Sequence, residues 1–276
     1  MSKVKRRTEV TVNKETVTKL NKWKKDLLEK YRPYLTVRDV NQIGRRHWLF
    51  CPIQKRHVHL LSDGEYRTYK KILSSKSVVK IEEQYALDID ETLDIAIALN
   101  AIHPRDWETN LGYVMTTDFV VTYRNKSGST YRVAYTFKYW EQIYEEVDAK
   151  VKKIKPRTWQ KFDIERQYWK ARGVDYRVLT ERDATKAEAW NFDYFELAYD
   201  FVASKSELTE FAIGFVEAWL LAPHNWLQDH FRTLEVKTGK SFQHIQSLFQ
   251  YMGLHNLLPI NCDKHIRLFR PVELEL

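Results

Sequence analysis

The sequence predicts a mixed α/β domain followed by a smaller, mainly helical one, and three observations carry that expectation. Strand-like runs alternate with helical ones as far as Thr180, from HWLFC at 47–51 to VDYRVLT at 174–180. Beyond residue 181 the long segments AEAWNFDYFELAYDFVASK, SELTEFAIGFVEAWLL and SFQHIQSLFQYMGL show helical spacing alone. The 276 residues are 43% hydrophobic and 14% aromatic, enough for packed cores, and 8 Gly and 7 Pro are too few for a fibrous or disordered chain. A boundary near residue 181 divides the chain into domains 1–180 and 181–276.

The elements follow in order. Residues 14–31 read as a helix, with Val17, Leu20, Trp23 and Leu27 on its apolar side. HWLFCPIQKRHVHLLS reads as a hairpin turning around PIQKR, and SDGEYRTYKKILSS as the helix after it. VVKIEEQYAL is a strand, residues 90–103 a short helix and HPRDWETNLGY a loop. VMTTDFVVTYRNKSGSTYRVAYTFKYW, residues 114–140, is a second hairpin whose turn formers are Asn125, Ser127 and Gly128. TWQKFDIERQYWKARG after Pro156 is a helix closed by Gly173, and VDYRVLT is the last strand of the domain. At the chain's end, HIRLFRPVELEL reads as a short β-ribbon.

Composition narrows the function classes. No apolar run is long enough to span a bilayer, and the basic start MSKVKRRTEV has no apolar segment behind it, so neither a membrane span nor a secretory signal is expected. Cys51 and Cys262 are far apart and lack metal-site spacing, which suits a reducing cytoplasm. The formal charge of +8 gathers in KVKRR, KLNKWKK and GRRH within the first 47 residues, and again at 150–172, with Trp and Tyr interleaved. That mixture fits a phosphate-contacting surface and equally an ordinary solvated helix face.

Asp118 and Lys138 lie within the two strands of the second hairpin, where a sheet interior is normally apolar. A turn centred near Ser127 puts Asp118 across from Thr136, with Lys138 two residues further along the same face. The two could simply pair with each other. Alternatively, with a further carboxylate they could form a hard-cation site, the lysine orienting water or offsetting charge on phosphorus. Glu65 is one candidate, although Ser62-x-x-Glu65 is also a capping box. Glu165 is another, although a helix residue of this kind commonly faces solvent. His57 and His59 alone are too few for a zinc site. Gly-rich phosphate loops, G-x-S-x-G elbows and Cys/His nucleophile arrangements are missing from the sequence.

HLLSDGEYRTY, VMTTDFVVTY, VAYTFKY and DIERQYWKARGVDYRVLT, in that order and spacing, resemble TnsA, the endonuclease subunit of heteromeric cut-and-paste bacterial transposases. The likeness runs from YLTVRDV at residue 34 to Thr180. It implies a restriction-endonuclease-like fold, a mixed sheet flanked by helices, with the mainly helical domain appended. It also implies a DNA endonuclease whose metal, Mg²⁺ or Mn²⁺, is held by Glu65, Asp118 and the carbonyl of Phe137. Lys138 is then the catalytic lysine, and Glu165 a further acidic residue associated with activity. The family places a Gln two residues before the lysine, where this chain has Thr136, and that departure bears on the number of metals. The implied partners are double-stranded DNA at transposon ends, a TnsB-like DDE transposase and a TnsC-like AAA+ ATPase met through the C-terminal domain. Two other readings stand beside this one: a stand-alone restriction or repair nuclease of the same fold, and a DNA-binding adaptor that has lost metal affinity.

Overall fold

Residues 10–27, 29–40 and 44–276 are described in the computed structural model of the chain, so the basic KVKRR cluster at 3–7 lies outside the described residues. The chain divides into two units: Met1–Tyr66 with Ser77–Arg182, and Arg67–Lys76 with Asp183–Leu276.

In the first unit, helix α1 (Lys14–Asp26) starts where the Asn13 side chain accepts from the Thr16 amide and ends sooner than its periodicity suggests. It buries Leu20 and Trp23 against Ala86 and Ile89. Strands β1 (His47–Cys51) and β2 (Arg56–Leu60) form the first hairpin, with His57 and His59 both packed against the Trp48 ring. Helix α2 (Asp63–Leu73), strand β3 (Val78–Ala86) and helix α3 (Ile89–Ala98) follow, and Asp88 caps α3 by accepting from the Asp90 and Glu91 amides. The second hairpin is β4 (Thr116–Arg124) with β5 (Thr130–Phe137).

Helix α4 (Pro156–Lys170) then carries the chain back to β8 (Asp175–Leu179), which pairs parallel with β5. Parallel neighbours need such a crossover, and a helix is its usual form. Sheet order is β3-β4-β5-β8, antiparallel except for the last pair. Phe119, Val120 and Val121 are all fully buried, as a central strand covered on both faces requires. On one face, Phe162, Ile164, Tyr168 and Trp169 of α4 pack against Val120, Ala134 and Tyr176 of the sheet. This is the restriction-endonuclease-like arrangement: a mixed sheet flanked by helices.

The basic run at 150–172 is not one element. A small hairpin, β6 (Tyr144–Val147) with β7 (Lys150–Lys153), precedes α4 and was not legible in the charged string EEVDAKVKK. Its turn residues Asp148 and Ala149 have φ of 51° and 58°, the positive pair that a two-residue hairpin turn demands.

The second unit packs α5 (Lys186–Glu196), α6 (Lys205–Leu221), α7 (Leu227–Thr238) and α8 (Phe242–Leu254) around Phe195, Phe215, Phe231 and Phe249. A full capping box at Thr185 and Glu188 begins α5. The second half of α2 belongs here: buried Lys70 forms ion pairs with Asp193 and Glu196. The expected C-terminal ribbon is reduced to one isolated antiparallel bridge, Ile260 to Leu274. Among the described residues, no helix is long and apolar enough to cross a membrane.

Candidate active site

A row of polar residues crosses the middle of the sheet of the first unit. The pairs Glu83–Phe119 and Tyr85–Thr117 bracket Gln84 opposite Asp118, and the β4–β5 register continues that row to Thr136. Lys138 lies one residue beyond β5, and its amide donates to the Leu179 carbonyl at 2.9 Å, extending the parallel pairing.

Asp118 is the shared neighbour. The Phe137 amide donates to its Oδ2 at 2.7 Å. Burial raises its carboxyl above the usual range, against the opposing pull of that amide, the Lys138 ammonium and the Gln84 amide. The charge of Asp118 in turn acts on Glu65 and on Glu165.

Glu65 is 8% exposed at the start of α2. The Ser62 hydroxyl accepts from the Glu65 amide at 3.1 Å and donates to Oε1 at 3.2 Å. Oε2 accepts from the Leu61 amide at 2.8 Å and from Gln84 Nε2 at 3.1 Å. The Ser62 hydroxyl thus caps the helix, while the Glu65 side chain reaches the Leu61 amide and stands beside Asp118. Burial first, and the Asp118 charge second, push its carboxyl well above the ordinary carboxylate range. Gly64 permits this approach: a Cβ there would lie 1.8 Å from the Phe137 ring.

Glu165 does not face solvent as a helix residue of its kind commonly would. It is 5% exposed, and its Oε2 accepts from the hydroxyls of Thr117 and Thr136, each at 2.9 Å. Trp169 Nε1 donates to that same Thr117 hydroxyl at 2.9 Å. Burial, then the Asp118 charge, raises Glu165 to about 8. Thr136 therefore spends its hydroxyl on Glu165. One turn before Glu165, Lys161 is lowered by burial and by the neighbouring charges of Arg157 and Lys138, which brings a second ammonium towards the site.

Gln84 was not singled out in the sequence. The available signal was the polar triplet Glu82-Glu83-Gln84 inside a strand, where a covered sheet calls for apolar residues. Among the described residues, eight non-glycine residues have positive φ, and Gln84, at 51°, is the one within a strand. Such a backbone costs on the order of 1–3 kcal/mol and persists only where its surroundings impose it.

The oxygen-rich donor set suits a hard cation. Among the described residues, no three His, Cys, Asp or Glu side chains form a ready-made cage. Mg²⁺ characteristically takes one or two carboxylates and leaves its remaining positions to water and substrate phosphate. Glu65 and Asp118, neighbours in the buried interior of the first unit where each resists ionisation, fit that requirement.

Residues 75–181 match the family described as TnsA-like endonuclease N terminal, a segment that contains Gln84, Asp118, Lys138 and Glu165. Over 164 residues the chain is 29% identical to the transposition protein TnsA of transposon Tn7 from Escherichia coli. That alignment takes in 59% of this chain and 55% of the relative, so it spans little more than half of the relative's length. On its fold and these two matches, the chain is similar to TnsA-like endonucleases, with the family match falling on residues 75–181.

Proposed function

We propose that the protein is a metal-dependent DNA endonuclease that cuts the 5′ strands at transposon ends as one subunit of a heteromeric transposase. The observation that carries this reading is Asp118, flanked by a second carboxylate at Glu65 and an ammonium at Lys138. Glu65, Asp118 and the Phe137 carbonyl would hold Mg²⁺ or Mn²⁺. A bound ion would stabilise charge on phosphoryl oxygens and lower the pKa of a bound water.

The chain's own groups do the rest. Lys138 orients the attacking water and offsets charge as it builds on phosphorus. Glu165, raised to about 8, keeps a proton at neutral pH and so adds no further negative charge beside Asp118. With Thr136 bonded to Glu165, the site offers a single ion its ligands. Exposed lysines of β7, together with the basic residues of α4, grip phosphates, contacts that position DNA without reading its sequence. The partners carried over from the resemblance are a TnsB-like DDE transposase and a TnsC-like AAA+ ATPase, the latter met through the second unit. Free cysteines at 51 and 262 accord with a cytoplasmic setting.

The test combines the purified protein, its cognate transposase, transposon-end DNA and Mg²⁺. Asp118→Ala is expected to abolish 5′-strand cutting by at least about 100-fold, since metal assistance is worth several kcal/mol, while the complex still assembles. Continued cutting contradicts the assignment. Robust cutting without the transposase favours a stand-alone nuclease. DNA binding that is equal in Mg²⁺ and EDTA, with no cutting by the unaltered protein, favours an adaptor.

A further inference from the structure

Gln84 is 2% exposed and holds several partners at once. Thr116 Oγ1 donates to its Oε1 at 3.1 Å, which turns the amide nitrogen towards the carboxylates. That nitrogen donates to Glu65 Oε2 at 3.1 Å, and the Gln84 amide is close enough to Asp118 to draw its carboxyl downward. The backbone is pinned as well: the Tyr34 amide donates to the Gln84 carbonyl at 3.1 Å, and φ is held at 51° inside a strand. The adjacent Glu83 is occupied elsewhere, by Arg56. Glycine would adopt this φ at no steric cost, yet the chain places a long amide there.

We propose that Gln84 is a positioning residue whose NH₂ group bridges Glu65 and Asp118, holding the two carboxylates in the separation and orientation that a single divalent cation needs. The role rests on the metal-site reading above. An amide suits it because it donates hydrogen bonds without carrying charge. A lysine in its place would neutralise the carboxylates permanently and compete with the ion. An apolar side chain would leave two carboxylates facing each other with nothing between them. The left-handed backbone turns Gln84 out of the strand's normal alternation so that its side chain reaches Glu65 on the neighbouring helix.

The experiment follows Mn²⁺ binding to the full chain, by loss of the free-ion electron paramagnetic resonance signal and by the spectrum of the bound ion. Gln84→Gly accepts the same φ and removes the whole side chain, amide included. It is expected to bind Mn²⁺ about 10-fold more weakly and to broaden the bound-ion spectrum because the ligands are less fixed. Wild-type affinity with an unchanged spectrum would overturn the proposal. Gln84→Glu provides a second check that does not depend on the glycine variant folding. It keeps the length and replaces a donor with a third carboxylate, so its metal-free melting temperature is expected to fall and to recover when Mn²⁺ is added. A metal-free melting temperature equal to that of the wild type counts against the bridge. If the wild-type protein itself binds no Mn²⁺, the metal-site reading fails and this inference with it. If only the Gln84 variants behave as wild type, the inference alone fails.

Discussion

The Arg56–Glu83 pair and the group around Asp118 lie one residue apart along β3, and the chain treats their carboxylates differently. Glu83 is fully buried, and Arg56 grips both of its oxygens, with Nη1 to Oε1 at 2.8 Å. Burial still pushes the Glu83 carboxyl up, but a guanidinium from the same unit works against it. Glu65 and Glu165 are buried almost as deeply, and their partners are hydroxyls, amides and an indole-linked threonine. The charged group acting on both of them is another carboxylate, Asp118. A carboxylate that serves structure is given its counter-charge by the chain. On the proposed function, the neutral donors around Glu65 leave it able to accommodate a cation from outside.

Breaking the structural pair should produce the largest loss of stability. Arg56→Ala leaves Glu83 buried without its partner and is expected to cost about 3–5 kcal/mol in denaturant unfolding. A cost below 1 kcal/mol would mean that the two carboxylate settings are not as different as they look. Gly64→Ala is expected to cost less, about 1–3 kcal/mol, because the added methyl would press into the Phe137 ring and force α2 back. It should also draw Glu65 away from Asp118, so cutting falls more than stability does. Retained activity with full stability would show that the close approach is dispensable.

A further effect is a pH dependence. Folded Glu165 retains its proton up to about 8, whereas the unfolded group loses it near the ordinary value of 4.5. Between those values the folded state binds the extra proton, so this group's contribution to stability declines as pH rises through that window. Glu165→Gln removes that slope. Across pH 5 to 8 the wild type should therefore lose stability more steeply with rising pH than Glu165→Gln; identical slopes would contradict the raised value.

Much of this contrast could be read from the sequence, and some could not. Asp118 and Lys138 stood out because a covered strand has no cheap place for charge, and a turn centred at Ser127 was enough to fix their register. Glu65 was recognisable as a cap, but that a cap could also face Asp118 depends on the missing Cβ of Gly64 and on a ring from β5, a contact far apart in the sequence. Glu165 lies three residues after Phe162 and four before Trp169, on the apolar side of α4, so its burial was readable from that spacing but was outweighed by the expectation that a charged helix residue faces solvent. Gln84 was missed for a backbone reason: strand alternation assigns sides only while φ stays extended, and here it does not. In the second unit, α7 escaped notice because DHFRTLEVKT is charged on its open side, and the supposed ribbon failed because alternating Leu and Glu at a chain end needs a partner strand to pair with.

The most direct test is a crystal of the protein soaked in Mn²⁺ and recorded at the manganese absorption edge. The account predicts one anomalous peak bounded by the carboxylates of Glu65 and Asp118, absent in Asp118→Ala. No peak at that position, or an Asp118→Ala crystal that retains it, would contradict the claim that these carboxylates await a cation.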